Sequence, residues 1–390
     1  MKFLITINRL LVLIALSVFM ACGQGKPNQE EANVANDSNA EPEFFLYLVN
    51  TGQLQLRKEA SLSAEVVSTV PQGTILFSEG VKSSKSIQAE LDGVSYETPF
   101  YEVSDASGVK GWALGGALTA VYRGTAEEKP DVGQISSFAT YLSNLNPTDF
   151  KSGGKAWTYV EENLSEATGA LADAIFVTLE AYMHRVERKS DLANLAVPGR
   201  FSPEEIEAIF MSNFDAESNP FAKALTANGF RMAAADEMIF AVPDLRRFQD
   251  YFSPRVSPPM QRYLNQRTSE QRVPLLMDGN LRVPLSNFAD LAVFWEKFNR
   301  EYPKFLKSEE TQISERWFRN AVLRGTDKKP LFNPENHQVN MDFRLAWSYV
   351  QNDLAGTEME RLVNQMVMLC QENEWSRSKK IDDFLAKLQD

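Results

Sequence analysis

The chain has 390 residues, is 44% hydrophobic, and carries 40 Lys and Arg against 52 Asp and Glu, a net charge of -12. That balance leaves no electrostatic footprint for nucleic acid, and no Lys/Arg-rich block occurs anywhere along the chain. Two histidines and two cysteines are too few for a His- or Cys-rich metal site, and neither HExxH nor CxxC spacing is present.

Lys2 and Arg9 precede an apolar run from Leu10 to Met20, which leads into Ala21-Cys22-Gly23. A charged start, an apolar stretch short for a bilayer span and a small residue at the cut site describe a secretory signal. With a cysteine directly after that site, residues 1–21 resemble a bacterial lipoprotein signal peptide, although Phe19 and Met20 stand where Leu and a small residue are usual. The resemblance implies cleavage before Cys22, a diacylglycerol on its sulfur and acylation of the new amino terminus. An ordinary secretory signal cut elsewhere and an uncleaved anchor are the two other readings. Residues 22–43 are rich in Asn, Glu, Gln, Pro and Gly and almost devoid of apolar side chains, the composition of a disordered tether. Three acyl chains on one cysteine exceed the two signals that stable anchoring needs. The membrane partner is thus reached through lipid on Cys22, and the expected location is the cell envelope, facing the periplasm or the cell surface. With Cys22 lipidated, Cys370 has no disulfide partner. Its neighbours Val363, Met366, Val367 and Leu369 point to a buried, inert thiol.

Residues 44–123 change character. Short runs (FFLYLV, LQLR, EVVSTV, TILFSEG, PFYEVSD, GWALGGALT) are enriched in β-branched and aromatic residues and are separated by Gly52, Pro71-Gln72-Gly73, Asp92-Gly93 and Ser107-Gly108. This spacing predicts a small barrel or roll of half-buried strands. Leu54, Leu56, Arg57, Ser61, Val66, Val70, Gly73, Tyr101, Val103, Gly111, Trp112, Ala113 and Leu118 follow in an order that resembles a bacterial SH3-like (SH3b) domain. The departure is the stretch 81–98, which is read as an extra hairpin. The resemblance implies binding, to cell-wall glycan or peptide or to a protein. Tyr47, Tyr96 and Tyr101 are the candidate ligand-binding platforms, since a tyrosine stacks while its hydroxyl bonds to a sugar or amide. The alternative is that all three are packing residues. Trp112, followed by small residues, is expected in the core.

Residues 124–134 (GTAEEKPDVGQ) read as a linker, and from Ile135 the apolar period becomes helical. Residues 135–390 are expected to form a larger all-α domain without a recognised family. A long helical stretch ends near Lys189, Ser202-Pro203-Glu204-Glu205 starts a helix, and further helices fit 219–228, 244–253, 257–271, 286–300, 308–324, 340–354, 357–373 and 377–388. Gly229, Gly325 and Gly356 stand at expected C-caps. No constant repeat period is present. The stripe Phe288, Phe294, Trp295, Phe298, Tyr302 and Phe305 is read as helix core.

Catalytic templates fail in turn. No GxSxG elbow accompanies His184 or His337. Ser152-Gly153-Gly154-Lys155 has the Ser-x-x-Lys spacing but lacks companion motifs, so it reads as a loop before a helix. Asp215-x-Glu217-x-Asn219 begins like a calcium loop, but Pro220 stands where the turn needs Gly and Thr226 where the bidentate Glu belongs. In the segment 224–240 an Arg231/Asp236 pair is read as an internal salt bridge or a ligand-orienting pair. The sequence therefore predicts a non-enzymatic, lipid-anchored envelope protein with no cofactor, metal or catalytic residue. It would bind cell wall or an envelope protein through the SH3b-like domain and use the helical domain as a platform. A peptidoglycan-acting enzyme with carboxylates at its centre and a periplasmic solute binder are the alternatives.

Overall fold

A computed structural model describes residues 43–388, except 92, 196–198, 212–217, 236–237, 274 and 278–279. The expected signal peptide, Cys22 and nearly all of the expected tether lie outside the described residues. Those residues form a β-rich N-terminal region followed by a helical one, and fall into two compact units. One unit runs to Ala234 and also includes Met238–Gln271, and the other comprises Arg272 onward.

The first nine strands are β1 (Phe44–Val49), β2 (Gln53–Arg57), β3 (Val66–Pro71), β4 (Ile75–Ser78), β5 (Ile87–Leu91), β6 (Val94–Thr98), β7 (Phe100–Ser104), β8 (Lys110–Leu114) and β9 (Leu118–Gly124). Seven of them form one sheet in the order β3-β2-β8-β7-β4-β1-β9, and every neighbouring pair is antiparallel. The two-residue period is plain in β2, where Leu54 and Leu56 are buried while Gln53 and Gln55 face solvent. β5 and β6 form a separate hairpin within the stretch 81–98, turned at Gly93 with φ +80°.

The sequence predicts a barrel, but β3 and β9 are the two edges of this sheet and it does not close. Each edge has its own protection. β3 ends at Pro71 and faces a bulge between Leu56 and Arg57 of β2, while β9 is covered by a helix described below. The ends of the region meet: Phe44 pairs with Gly124, and the Arg123 guanidinium binds Glu43 at 3.0 Å while lying over the Phe45 ring.

The helical part of the first unit contains α1 (Val132–Ser143), α2 (Lys151–Asn163), α3 (Gly169–Lys189), α4 (Pro203–Phe210), α5 (Pro220–Ala227), α6 (Leu245–Phe252) and α7 (Pro258–Arg272). Local chemistry sets their starts. Asp131 caps α1, and Ser202 and Glu205 form a reciprocal capping box on α4 with Pro203 in the first turn. Helix α3 packs against β9, α1, α2 and α6, so the sheet and these helices share one unit. The compact units thus do not divide at the 124–134 linker.

The expected all-α character is corrected by a hairpin of β10 (Phe230–Ala235) and β11 (Met238–Pro243), and β11 also packs on α3. Gly229 at φ +84° ends the preceding helical turn, and Met238-Ile-Phe-Ala-Val-Pro243 then alternates with Ile239 and Ala241 buried.

The second unit holds a short hairpin, β12 (Leu276–Met277) and β13 (Asn280–Leu281), then α8 (Leu285–Glu301), α9 (Ser308–Arg324), α10 (Met341–Asp353), α11 (Glu358–Glu372) and α12 (Lys379–Ala386). Phe288, Trp295, Phe298 and Phe305 are buried here, while Phe294 and Tyr302 are half-buried at the margin. The α11 N-terminus is closed from another helix: the Glu296 carboxylate accepts from the Glu358 and Met359 amides at 2.9 and 3.2 Å. Trp347 is anchored by its indole N–H to the Val322 carbonyl at 3.0 Å.

The turn Pro71-Gln72-Gly73 lies directly against α1. Gly73 has φ +83°, and a Cβ there would stand 2.8 Å from the Ala139 carbonyl oxygen. Gly73→Ala is expected to lower the unfolding free energy by about 3 kcal/mol, left-handed strain and overpacking combined. Gly52→Ala, with nothing within 4 Å of its Cβ, is expected to change it by less than ~0.5 kcal/mol. Urea unfolding of the two variants checks both values.

Candidate functional site

The candidate tyrosines sit on three strands of the β-rich region. Tyr47 in β1 pairs with Leu76 and Ala120, Tyr101 in β7 pairs with Ala113, and Tyr96 in β6 pairs with Ala89. Tyr47 is 7% exposed and belongs to the hydrophobic core with Val49, Leu54, Leu56 and Leu76. Its ring lies between Phe45, stacked at 5.7 Å, and Tyr101, tilted at 5.4 Å. Tyr47 therefore offers no ring face to a ligand. That departs from its reading as a platform, because β1 lies between β4 and β9 and its register turns this side chain into the core.

Tyr96 and Tyr101 are half-buried. Both rest on the 3-10 turn Gly115–Ala117: a Cβ at Gly115 would lie 2.7 Å from the Tyr101 ring, and one at Gly116 would lie 2.8 Å from the Tyr96 ring. Each of the two adjacent glycines thus makes room for one aromatic ring, with the Thr98 hydroxyl also close against Gly115. Each ring spends part of its surface on this packing and keeps a rim for contact. Trp112, expected in the core, is half-buried instead. On β8, Gly111 and Ala113 take the inward positions, and a Cβ at Gly111 would stand 2.9 Å from the Leu56 Cβ. The two-residue period then sends Trp112 to the other face, opposite Arg57.

In the helical part of the first unit, Thr226, Asp244, Arg246, Arg247, Asp250 and Tyr251 line an open surface groove. Its charges are matched, two arginines to two aspartates. Arg247 also binds Glu161 at 3.1 Å and the Ala227 carbonyl at 3.1 Å, and lies over the Trp157 ring. Burial raises the Tyr251 pKa, and its hydroxyl donates to the Val160 carbonyl. The charged groups that line the groove are largely engaged with one another and with neighbouring backbone.

The other sequence candidates resolve into structural roles where the structure describes them. Ser152 is 2% exposed while Lys155 faces solvent, so the Ser-x-x-Lys pair does not converge. The two glycines between them are packing residues within α2, not a loop. A Cβ on Gly153 would lie 2.6 Å from the Asn228 carbonyl oxygen, and one on Gly154 would lie near the Asn228 side chain. Burial raises the Tyr182 pKa, partly offset by the facing Ser152 hydroxyl. Asp215 and Glu217 lie outside the described residues. Asn219 caps α5, accepting from the Phe221 and Ala222 amides. Asp236 is also outside them. Arg231 donates to the Gln271 carbonyl at 2.8 Å, and burial holds its pKa below the usual guanidinium value, partly offset by Asp244. Cys370 is fully buried, and burial pushes its thiol pKa up to about 11, which disfavours the thiolate.

Among the described residues no group of three or more His, Cys, Asp or Glu is placed to hold a metal ion, and no helix is long and apolar enough to cross a membrane. One polar pair escaped the sequence reading altogether. Asp173 on α3 accepts from both the amide and the hydroxyl of Ser257, 84 residues away, a contact with no local signal. Comparison with protein-family models, curated proteins and solved structures finds no match for the chain.

Substitution separates the two glycines of α2. Gly153→Ala would press Cβ against a backbone carbonyl and is expected to cost about 2 kcal/mol. Gly154→Ala meets a movable side-chain amide and gains helix propensity, so it is expected to stay within ~1 kcal/mol of the parent. Thermal melting of the pair measures the difference.

Proposed function

We propose that the chain is a lipid-anchored envelope protein that acts by binding, not catalysis. The observation that carries this reading is the N-terminal order itself: charged start, apolar run Leu10–Met20, then Ala21-Cys22 and a polar tether. The β-rich region is its SH3b-like contact module, directed at cell wall or an envelope protein. The order of elements from Leu54 to Leu118 and the Tyr96/Tyr101 rim over Gly115–Gly116 support that assignment. The helical units act as platform. The matched charges of the open groove and the burial of Ser152 and Cys370 fit a protein that presents surfaces.

The anchor is tested by labelling cells with a palmitate analogue. The parent is expected to carry label and sediment with membranes, whereas Cys22→Ser is expected to lose the label and appear in the soluble fraction. Label retained by Cys22→Ser would remove the basis of the reading. The contact module is tested by sedimentation of the whole protein with purified peptidoglycan sacculi. Tyr96→Ala with Tyr101→Ala is expected to weaken binding roughly tenfold, the loss of one aromatic contact's worth of free energy. Unchanged binding would take the tyrosine rim out of the account.

A further inference from the structure

The tether read from the sequence meets the folded body at Glu43, and the tyrosine rim stands at the other end of the strand that follows. β1 runs from Phe44 to Val49, roughly 20 Å for six residues. Just past it, the Asn50 amide donates to the Ala117 carbonyl, in the turn on which Tyr96 and Tyr101 rest. That turn leads directly into β9, which runs back beside β1 until Gly124 pairs with Phe44. Tension between Glu43 and the rim therefore pulls β1 and β9 lengthwise in opposite directions.

Two features oppose that pull. The first is the ladder. β1 is an interior strand, paired with β9 over six positions and with β4 over four. Antiparallel ladder bonds lie perpendicular to the strands. A lengthwise pull loads all of them together, whereas a pull at one end opens them in turn. Leu46, Tyr47, Leu48 and Val49 are buried, and the β1–β9 register shifts between Leu46 and Tyr47. To slide, β1 must draw core side chains past that irregular step. The second feature is a pair of side-chain ties, one at each end. The Glu43 carboxylate accepts from Arg123 Nη2 at 3.1 and 3.0 Å and from Arg123 Nε at 3.2 Å. This fork-to-carboxylate pair is half-buried on both sides, with the guanidinium laid over Phe45. At the rim end, the Asn50 side-chain amide donates to the Thr119 hydroxyl. β9 in turn packs on α3, so the strand that receives the load is backed by a helix.

We propose that the β1–β9 ladder is a tension-bearing link, which passes force from the lipid anchor to the tyrosine rim in shear and is locked at its tether end by the Glu43–Arg123 pair. The proposal rests on the reading of an anchor at Cys22 and a contact at the rim, and gives that reading a mechanical role. A protein fixed to a membrane at one end and to cell wall or an envelope protein at the other is stretched whenever the two move apart. The interior position of β1 and its two end ties suit that load.

The test is single-molecule force spectroscopy on the chain from Cys22 onward, made without lipid so that Cys22 takes one handle. Cys370 is fully buried and takes none. A second handle at Pro99→Cys, whose backbone carbonyl accepts from the Gly115 amide beside the rim, pulls along β1. A second handle at Lys129→Cys, exposed beyond β9, pulls from the Glu43 end and peels the ladder. At equal loading rate the lengthwise geometry is expected to rupture at about twice the force of the peeling one, because the ladder bonds share the load. Equal forces, or a weaker lengthwise geometry, would overturn the proposal. Arg123→Gln is expected to raise the lengthwise unfolding rate at fixed load about tenfold, and an unchanged rate would remove the lock. If Arg123→Gln does not fold, Glu43→Gln weakens the same pair from the other side and is held to the same outcome. The link and the anchor fail separately. Label retained by Cys22→Ser removes the anchor and leaves the force ratio standing, while equal forces remove the link and leave the labelling result untouched.

Discussion

Helix α3 is the element on which the first unit depends. Every residue from Ala174 to Glu180 is buried, a run that covers all sides of a helix and not one stripe. Such a helix must be wrapped. The sheet supplies one wall through β9, α1 and α2 supply others, and α6 with the β10–β11 hairpin completes the enclosure. The edge strand β9 is covered by the same contact, so the need of the helix and the exposure of the sheet are met together. The Gly73 turn against α1 adds a second junction between sheet and helices.

This arrangement changes how the β-rich region is viewed. As an isolated module it would present two open edges. As part of a unit with seven helices it has β9 occupied, and the half-buried tyrosines lie on the Gly115–Gly116 turn. The proposed contact rim is thus carried on a braced scaffold, which favours a fixed geometry for recognition. The second unit is built by different means: an aromatic helix core, the Trp347 anchor and the Glu296 carboxylate closing α11.

Much of this was legible along the chain because it is local. Period-two burial marks Leu54 and Leu56, Ser202 and Glu205 announce α4, and the helices expected at 244–253 and 357–373 occur at Leu245–Phe252 and Glu358–Glu372. Readings failed where distant partners decide. Tyr47 and Trp112 both alternate correctly, but which face is inward depends on neighbours in β4, β9 and β2. The glycines of Ser152-Gly153-Gly154-Lys155 acquire their meaning from Asn228, far away in sequence. Asp173 acquires its meaning from Ser257 in the same way. The β10–β11 hairpin was missed because its small residues Ala233, Ala234 and Ala235 suit a helix, and only packing of β11 on α3 selects the strand.

The claim that sheet and helices form one cooperative body around α3 is tested most directly by native-state hydrogen exchange on the full chain across a denaturant series. Amides of β1, β9 and the centre of α3 are predicted to converge on a single opening free energy and a single denaturant slope. If β1 and β9 instead open at a lower free energy while α3 stays protected, the sheet folds apart from the helices and the account fails.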